Sequence, residues 1–328
     1  MNCHFLNRRK LLALAGMGLL PSTLVRAEEA YPSRTVKLLH GFGAGSSIDV
    51  VARILGQKLS AAVAQPVVVV GQPGATGTIA NQTVINSPPD GYTLLIAPLA
   101  AVVTASYLYP VKYNSLKDLV PVLQVAFFDT VLVAGPSVAA TNVSELVALA
   151  KARSEPFTYS SPGAGTGFHL AGELLAQMAD IKLLHVPYRG GGTSAFTDVL
   201  GGRIDLTFES LGTVLPYLRS GRLRALAVTG SARSPALAEV PTMAESGLLG
   251  YQLTGWHGVF APVGTPPSVV QKLNMTLMQV MGTADMQQRW ATMNLRYIPM
   301  LPETFGRLIA ADHQRYGKII RELGIKVE

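Results

Sequence analysis

Short apolar runs that stop at glycine or proline, each followed by apolar residues at helical spacing, recur along most of this chain. Val67-Val68-Val69-Val70 is four β-branched residues in a row, as in a strand buried on both faces of a parallel sheet. Gly71-Gln72-Pro73-Gly74 ends it with turn chemistry. Residues 36–40 and 93–97 read as further strands, and 48–59 as a helix between the first two. A second cycle starts near Val131. It reads helix at 143–153, strand at 157–160, helix at 166–178 and strand at 183–186, then helix at 193–200, strand at 204–208, helix at 215–219 and strand at 225–228. Helical spacing returns at 269–281 and 305–323. Such alternation predicts an α/β protein of two lobes, each a mostly parallel sheet flanked by helices and joined by right-handed crossovers.

Composition narrows the class. With 48% hydrophobic and only 14% charged residues the chain is not a disordered one. The apolar run from Leu94 to Ala105 is interrupted by Pro98 and falls short of the ~20 residues that span a bilayer. The formal charge of +7 invites a nucleic-acid reading, but four of the 27 basic residues (Arg8, Arg9, Lys10, Arg26) and none of the 20 acidic ones lie in the first 27 positions. Without that segment the balance is +3, and no Lys/Arg run remains, so no nucleic-acid partner is expected.

Residues 1–27 read as a secretory signal peptide: a basic stretch at Asn7-Arg8-Arg9-Lys10, an apolar one at 11–20, and small residues ahead of a cleavage point after Ala27. The paired arginines also fit twin-arginine export, and they place the mature protein in a bacterial periplasm. Cys3 is the one cysteine and lies inside the segment, so the mature chain needs no disulfide.

Two glycine-rich loops carry the functional expectation. His40-Gly41-Phe42-Gly43-Ala44-Gly45-Ser46-Ser47-Ile48-Asp49 joins a strand to a helix, and Ser160-Ser161-Pro162-Gly163-Ala164-Gly165-Thr166-Gly167-Phe168-His169 does the same in the second cycle. Glycine lets the backbone approach a ligand, and the positive end of the following helix points at the same place. Either loop alone has a geometric explanation; two in equivalent positions predict one anion held between them. Ser46 and Phe168 stand where G-x-G-x-x-G requires glycine, and neither loop continues into Lys plus Ser/Thr, which excludes dinucleotide and P-loop readings. Asp49 is expected to orient the first loop and His169 the second.

No enzyme chemistry is legible. The nearest approach to a nucleophile elbow, around Ser210, lacks its first glycine, and Ser210 reads better as a strand-end or helix-capping residue. The histidines His40, His169, His185, His257 and His313 are scattered without metal-ligand spacing, so neither metal nor cofactor is expected.

From Tyr31 onward the chain resembles the Bug family, the substrate-binding receptors of tripartite tricarboxylate transporters. The matching stretches begin with Tyr31-Pro32-Ser33-Arg34, the first loop through Val51-Ala52-Arg53, Gln65-Pro66-Val67 and Pro89-Asp90-Gly91-Tyr92-Thr93-Leu94-Leu95. They continue with His169-Leu170-Ala171-Gly172, Val186-Pro187-Tyr188-Arg189-Gly190, Leu200-Gly201-Gly202-Arg203-Ile204-Asp205, Leu223-Arg224-Ala225-Leu226-Ala227-Val228-Thr229 and Gly258-Val259-Phe260-Ala261-Pro262. The resemblance implies a two-lobed periplasmic binding protein of the Venus-flytrap type, without catalysis, that closes on a small carboxylate. Its partners would be one small and one large membrane subunit, and it would act as a monomer. Lobe 1 would comprise 28–128 plus 253–328, and lobe 2 would comprise 129–252. Carried over residue by residue, the ligand contacts would be Phe42, Gly43, Ala44, Gly45, Ser46 and Ser47 from the first loop. Those from the second would be Ser161, Gly163, Ala164, Gly165 and Thr166. Asp205 matches a cleft position in the family and reads equally well as a sheet-end cap.

Where the family's loops carry polar side chains, this chain has Pro162, Ala164, Gly167 and Phe168, and Pro98-Leu99-Ala100 follows the third strand. Each swap removes a hydrogen-bonding group, and a second buried carboxylate needs paired donors. The ligand expected is a monocarboxylate with an apolar or aromatic tail, unless backbone amides and water supply the missing donors. Two other readings stand beside transport: a sensor that presents its ligand-bound form to a membrane kinase, and an exported serine hydrolase.

Overall fold

The computed structural model describes residues 31–188 and 192–325. The expected signal peptide at 1–27 and the motif residues Arg189 and Gly190 lie outside the described residues. In chain order the first elements are β1 (Val36–His40), α1 (Ser47–Val63), β2 (Val67–Gly71), α2 (Thr78–Ile85) and β3 (Thr93–Pro98). Two short helices, α3 (Ala105–Leu108) and α4 (Ser115–Asp118), precede the 16-residue β4 (Leu119–Ala134). Then come α5 (Val143–Ala152), β5 (Phe157–Ser161), α6 (Gly167–Ala179), β6 (Leu183–Pro187), α7 (Gly192–Leu200), β7 (Leu206–Ser210), α8 (Leu211–Arg219) and β8 (Arg224–Val228). The chain closes with β9 (Thr254–Pro262), α9 (Pro267–Met281), α10 (Ala284–Thr292) and α11 (Pro302–Glu322).

Hydrogen bonding orders the strands β2-β1-β3-β9-β4-β7-β5-β6, with β8 also on β4. The two groups β2-β1-β3 and β7-β5-β6 are parallel inside, as expected of βαβ units. Their join is not. β9 and β4 run antiparallel to each other and to their other neighbours, so the sheet is mixed at its centre. β4 pairs with β9 as far as Asp129–Thr254 and with β7 from Thr130–Ser210 onward, passing between the two groups within one strand. Register irregularities near Pro121 and Gln124 bend it, and proline, which has no N–H to give a ladder, sits at the first of them.

The valine run at 67–70 forms a strand but not a doubly buried one. β2 is the edge strand, paired only with β1, and Val68 is 47% exposed. The β-branched run reflects strand preference here rather than depth. The core is built over the central strands: Trp256, Phe260 and Phe305 pack edge-to-face and tilted around one another. Among the described residues no helix is long and apolar enough to cross a membrane.

Candidate functional site

The two glycine loops are built to one plan. Gly45 and Gly165 sit at φ +77° and +76°, the left-handed region that glycine enters without a Cβ penalty. The next residues, Ser46 and Thr166, are extended (φ −66°, ψ 158° and φ −69°, ψ 157°) and cap α1 and α6. Ser46 Oγ accepts from the Asp49 amide, and Thr166 Oγ1 from the His169 amide, each at 3.4 Å. The Ser46 and Thr166 amides donate back to the Gly43 and Gly163 carbonyls.

Each loop is held by the side chain four residues past its glycine. The Gly45 N–H donates to Asp49 Oδ2 at 2.9 Å, and the Gly165 N–H to His169 Nδ1 at 2.9 Å. Asp49 is buried and also takes Arg53 at 3.0 Å and His40 Nε2 at 3.0 Å. Burial pushes its carboxyl up, but the Arg53 bond and the Gly45 amide outweigh that and hold it below the usual range. His169 is pushed down to about 3 by burial and by the neighbouring His185 imidazole, stacked 4.0 Å away. It is therefore neutral, with Nδ1 free of a proton to accept the Gly165 amide.

Between the loops lies a cavity of about 990 Å³. The first loop gives it Phe42, Gly43, Gly45, Ser46 and Ser47; the second gives Gly163, Ala164 and Thr166. Ile48, Gly167 and Phe168 also line it, so the first turns of α1 and α6 both face the space. The N–H groups of a helix's first turn have no intrahelical partner, and with Asp49 and His169 capped, those of Ser47, Ile48, Gly167 and Phe168 remain for an anion. Four phenylalanines and three tyrosines line the walls, and no Lys or Arg does so among the described residues.

Several expected contacts lie elsewhere. Ala44 does not reach the lining. Ser161 is buried behind it, where its Oγ accepts the Gly163 amide at 3.1 Å and lies 2.6 Å from His185 Nε2. Gly165 is also behind the wall, with its amide taken by His169 and its carbonyl by Thr104 Oγ1 at 2.7 Å. Asp205 stands at the opposite end of the sheet from the second loop. It precedes β7 and accepts the Thr158 amide and hydroxyl, each at 2.9 Å, and the Ser137 hydroxyl at 3.0 Å. That is the sheet-end cap. Ser210 caps no nucleophile elbow either: its Oγ meets Glu209 Oε1 and Thr213 Oγ1 rather than a histidine.

Other lining residues came from parts of the chain that the loop pattern does not address. His257 on β9 is 97% buried, lines the cavity, and neither ring nitrogen has a protein partner among the described residues. Its place within the apolar run Trp256-His257-Gly258-Val259-Phe260 was the available signal. Thr76, at the unusual φ of +53° for a β-branched residue, bonds the Ala164 carbonyl at 3.3 Å and Tyr109 Oη at 3.0 Å. The second loop is thus held from the 76–108 region, and Leu108 packs where any Gly165 side chain would stand. Thr104→Val, which keeps the shape but strands the buried Gly165 carbonyl, is expected to cost about 1–2 kcal/mol. Thermal unfolding should show a midpoint about 2 °C lower; an unchanged midpoint refutes the latch.

A two-group α/β sheet with paired helix N-termini facing one cavity is the architecture of a periplasmic solute receptor. Residues 51–325 match the tripartite tricarboxylate transporter family receptor. The chain is 35% identical over 319 residues to the UPF0065 protein of the tcbD-tcbE intergenic region of Pseudomonas sp. strain P51, covering 97% of this chain and 95% of that one. It is 33% identical over 329 residues to BugT of Bordetella pertussis, covering 98% and 100%. Among solved structures, Rpa4515 of R. palustris with adipate superposes with a TM-score of 0.85 at 31% identity, covering 90% of this chain and all of that one. The periplasmic binding protein BugD gives 0.83 at 30%, again over 90% and 100%. MatC of Rhodopseudomonas palustris with bound malate gives 0.81 at 27%, over 88% and 100%. The chain belongs to the Bug family of tripartite tricarboxylate transporter receptors. It is a solute-binding receptor of this family of periplasmic binding proteins, not an enzyme.

Proposed function

We propose that this receptor binds one monocarboxylate with an apolar or aromatic tail in the 990 Å³ cavity and delivers it to a small and a large membrane subunit. The carboxylate would sit between the first turns of α1 and α6, taking the amides of Ser47, Ile48, Gly167 and Phe168. Phe42, Gly43, Ser46, Gly163, Ala164 and Thr166 would close around it. The observation that carries this reading is the pair of loops with matching glycine and cap conformations that line one space whose described walls hold aromatic rings and no Lys or Arg. Adipate and malate in the relatives support the carboxylate grip; their second carboxylate is what these apolar walls disfavour.

The mechanism is an equilibrium between open and closed lobes, 28–128 plus 253–328 against 129–252, shifted toward closed by a ligand that touches both. Maturation would remove residues 1–27, and the mature protein would work as a monomer. The test is thermal unfolding of the refolded, ligand-stripped protein against a panel of acids. A benzoate-like acid at 100 times its Kd should add about 2.7 kcal/mol, with no shift from its amide or ester. Preferential stabilisation by citrate would overturn the ligand class, and silence across the panel would overturn the carboxylate grip.

A further inference from the structure

His257 lines the cavity at only 3% exposure, and neither ring nitrogen has a hydrogen-bond partner among the described residues. Strand register fixes where it stands. It is the antiparallel partner of Pro98 at the end of β3, and β3 lies parallel to β1 with Leu95 opposite Leu39. Side chains alternate along a strand, so His257, Pro98 and the β1 residue His40 share one face of the sheet. That face is the α1 side, because the His40 ring reaches Asp49 in the first turn of α1 at 3.0 Å. Pro98 lies three residues past Leu95, and the three residues past Leu39 are His40, Gly41 and Phe42, so His257 is level with the start of the first loop. Two strand spacings, about 10 Å, separate it from β1 across the sheet. Phe128 occupies the space over Gly255 on the same face, and its ring packs 4.8 Å from that of His257.

This ring is not a counter-ion. Burial pushes His257 down to about 3, so it is neutral, with one nitrogen protonated and the other bare. No protein hydrogen bond among the described residues opposes a half-turn about Cβ–Cγ, which exchanges the nitrogen and carbon edges of the ring and brings either nitrogen to the wall. A hydroxyl suits both nitrogens, since it gives its proton to the bare one or accepts from the N–H. A second carboxylate does not: one neutral N–H leaves its charge unmatched, and no Lys or Arg lines the described walls. A ligand tail that runs from the first loop across this face meets His257. We propose that His257 sets specificity by exchanging a hydrogen bond with a hydroxyl on the ligand's tail, so that a hydroxy-substituted monocarboxylate binds in preference to its unsubstituted parent. This names the tail chemistry of the carboxylate site proposed above and rests on that reading.

The test is calorimetric titration of the mature chain with benzoate, phenylacetate and the 2-, 3- and 4-hydroxy derivatives of each. At least one hydroxy acid should bind about tenfold tighter than its parent. In His257→Phe that ratio should fall to about one, and His257→Gln, which keeps a donor and an acceptor, should restore part of it. Unfolding midpoints report that both variants are folded. Equal binding of parents and hydroxy acids by the wild-type protein, or a hydroxyl gain that survives in His257→Phe, overturns this inference alone. Failure of every acid to bind overturns it together with the carboxylate grip.

Discussion

Asp49→Ala should lower stability by about 3 kcal/mol, move the thermal midpoint down by about 5 °C, and abolish binding of any carboxylate ligand. Asp49 is 3% exposed, and its carboxylate ties the first loop to the Gly45 amide, Arg53 and His40. Truncation strands the Gly45 amide at φ +77°, and leaves the buried His40 ring without its partner. Arg53 is 61% exposed and simply returns to water. The cost therefore belongs at the lower end of the range for breaking a buried ion pair. Asp49→Asn separates charge from geometry. An amide oxygen can still accept the Gly45 N–H, so this variant should keep the loop and lose about half as much stability. Paired unfolding and titration curves check both. A wild-type midpoint or unchanged affinity in Asp49→Ala would show that the loop does not depend on this side chain.

The loops were legible because their determinants are local. Gly45, Ser46 and Asp49 lie within five residues, as do Gly165, Thr166 and His169, and glycine, a hydroxyl cap and an i+4 acceptor write the turn directly. Which atoms face the cavity was not local. Reading Gly165 as a ligand contact ignored that its amide is the one His169 can reach, and Ser161 points behind the loop toward His185. Asp205 has a cleft role only through the family resemblance; β7 begins at Leu206, which puts the carboxylate before the ladder, at the end where it caps the sheet. The antiparallel centre was missed for a different reason. β4 and β9 are joined across more than a hundred residues, and Pro121 inside β4 disguises its length. Phe128, Glu209 and His257 come to the cavity only through that long-range pairing.

Between pH 7 and pH 5 the protein should lose several kcal/mol of stability while the second loop keeps its shape. All five described histidines have their proton affinity lowered, chiefly by burial; His169 and His257 fall to about 3 and His185 to about 4. In the unfolded chain each would titrate near 6.5. Below that value the unfolded state binds protons that the folded state refuses, so stability is complete above pH 6.5 and declines as pH falls toward 4 and then 3. At pH 5 the difference is about 2 kcal/mol for each of these three, an upper figure because the unfolded chain is not fully solvated. Carboxylates held below their ordinary values, Asp49 among them, act in the same direction but only near and below pH 4, whereas Glu209 and Asp312, whose carboxyls burial pushes up, act in the opposite direction and offset part of the histidine loss. His169 faces Glu173 on its own helix, at 3.7 Å, and His185 and Tyr159 from the sheet; only the first is a charge that would welcome a proton, and burial outweighs it. The Gly165 amide therefore keeps its acceptor down to about pH 4, and far below that protonated Nδ1 would release the loop. Urea unfolding at pH 7.5, 6.0 and 5.0 measures the decline. His257→Phe should flatten it by about 2 kcal/mol at pH 5, since Phe removes the proton site and suits a ring that already packs 4.8 Å from Phe128. Equal stability at all three pH values would mean that these rings titrate in the folded protein much as they do in water.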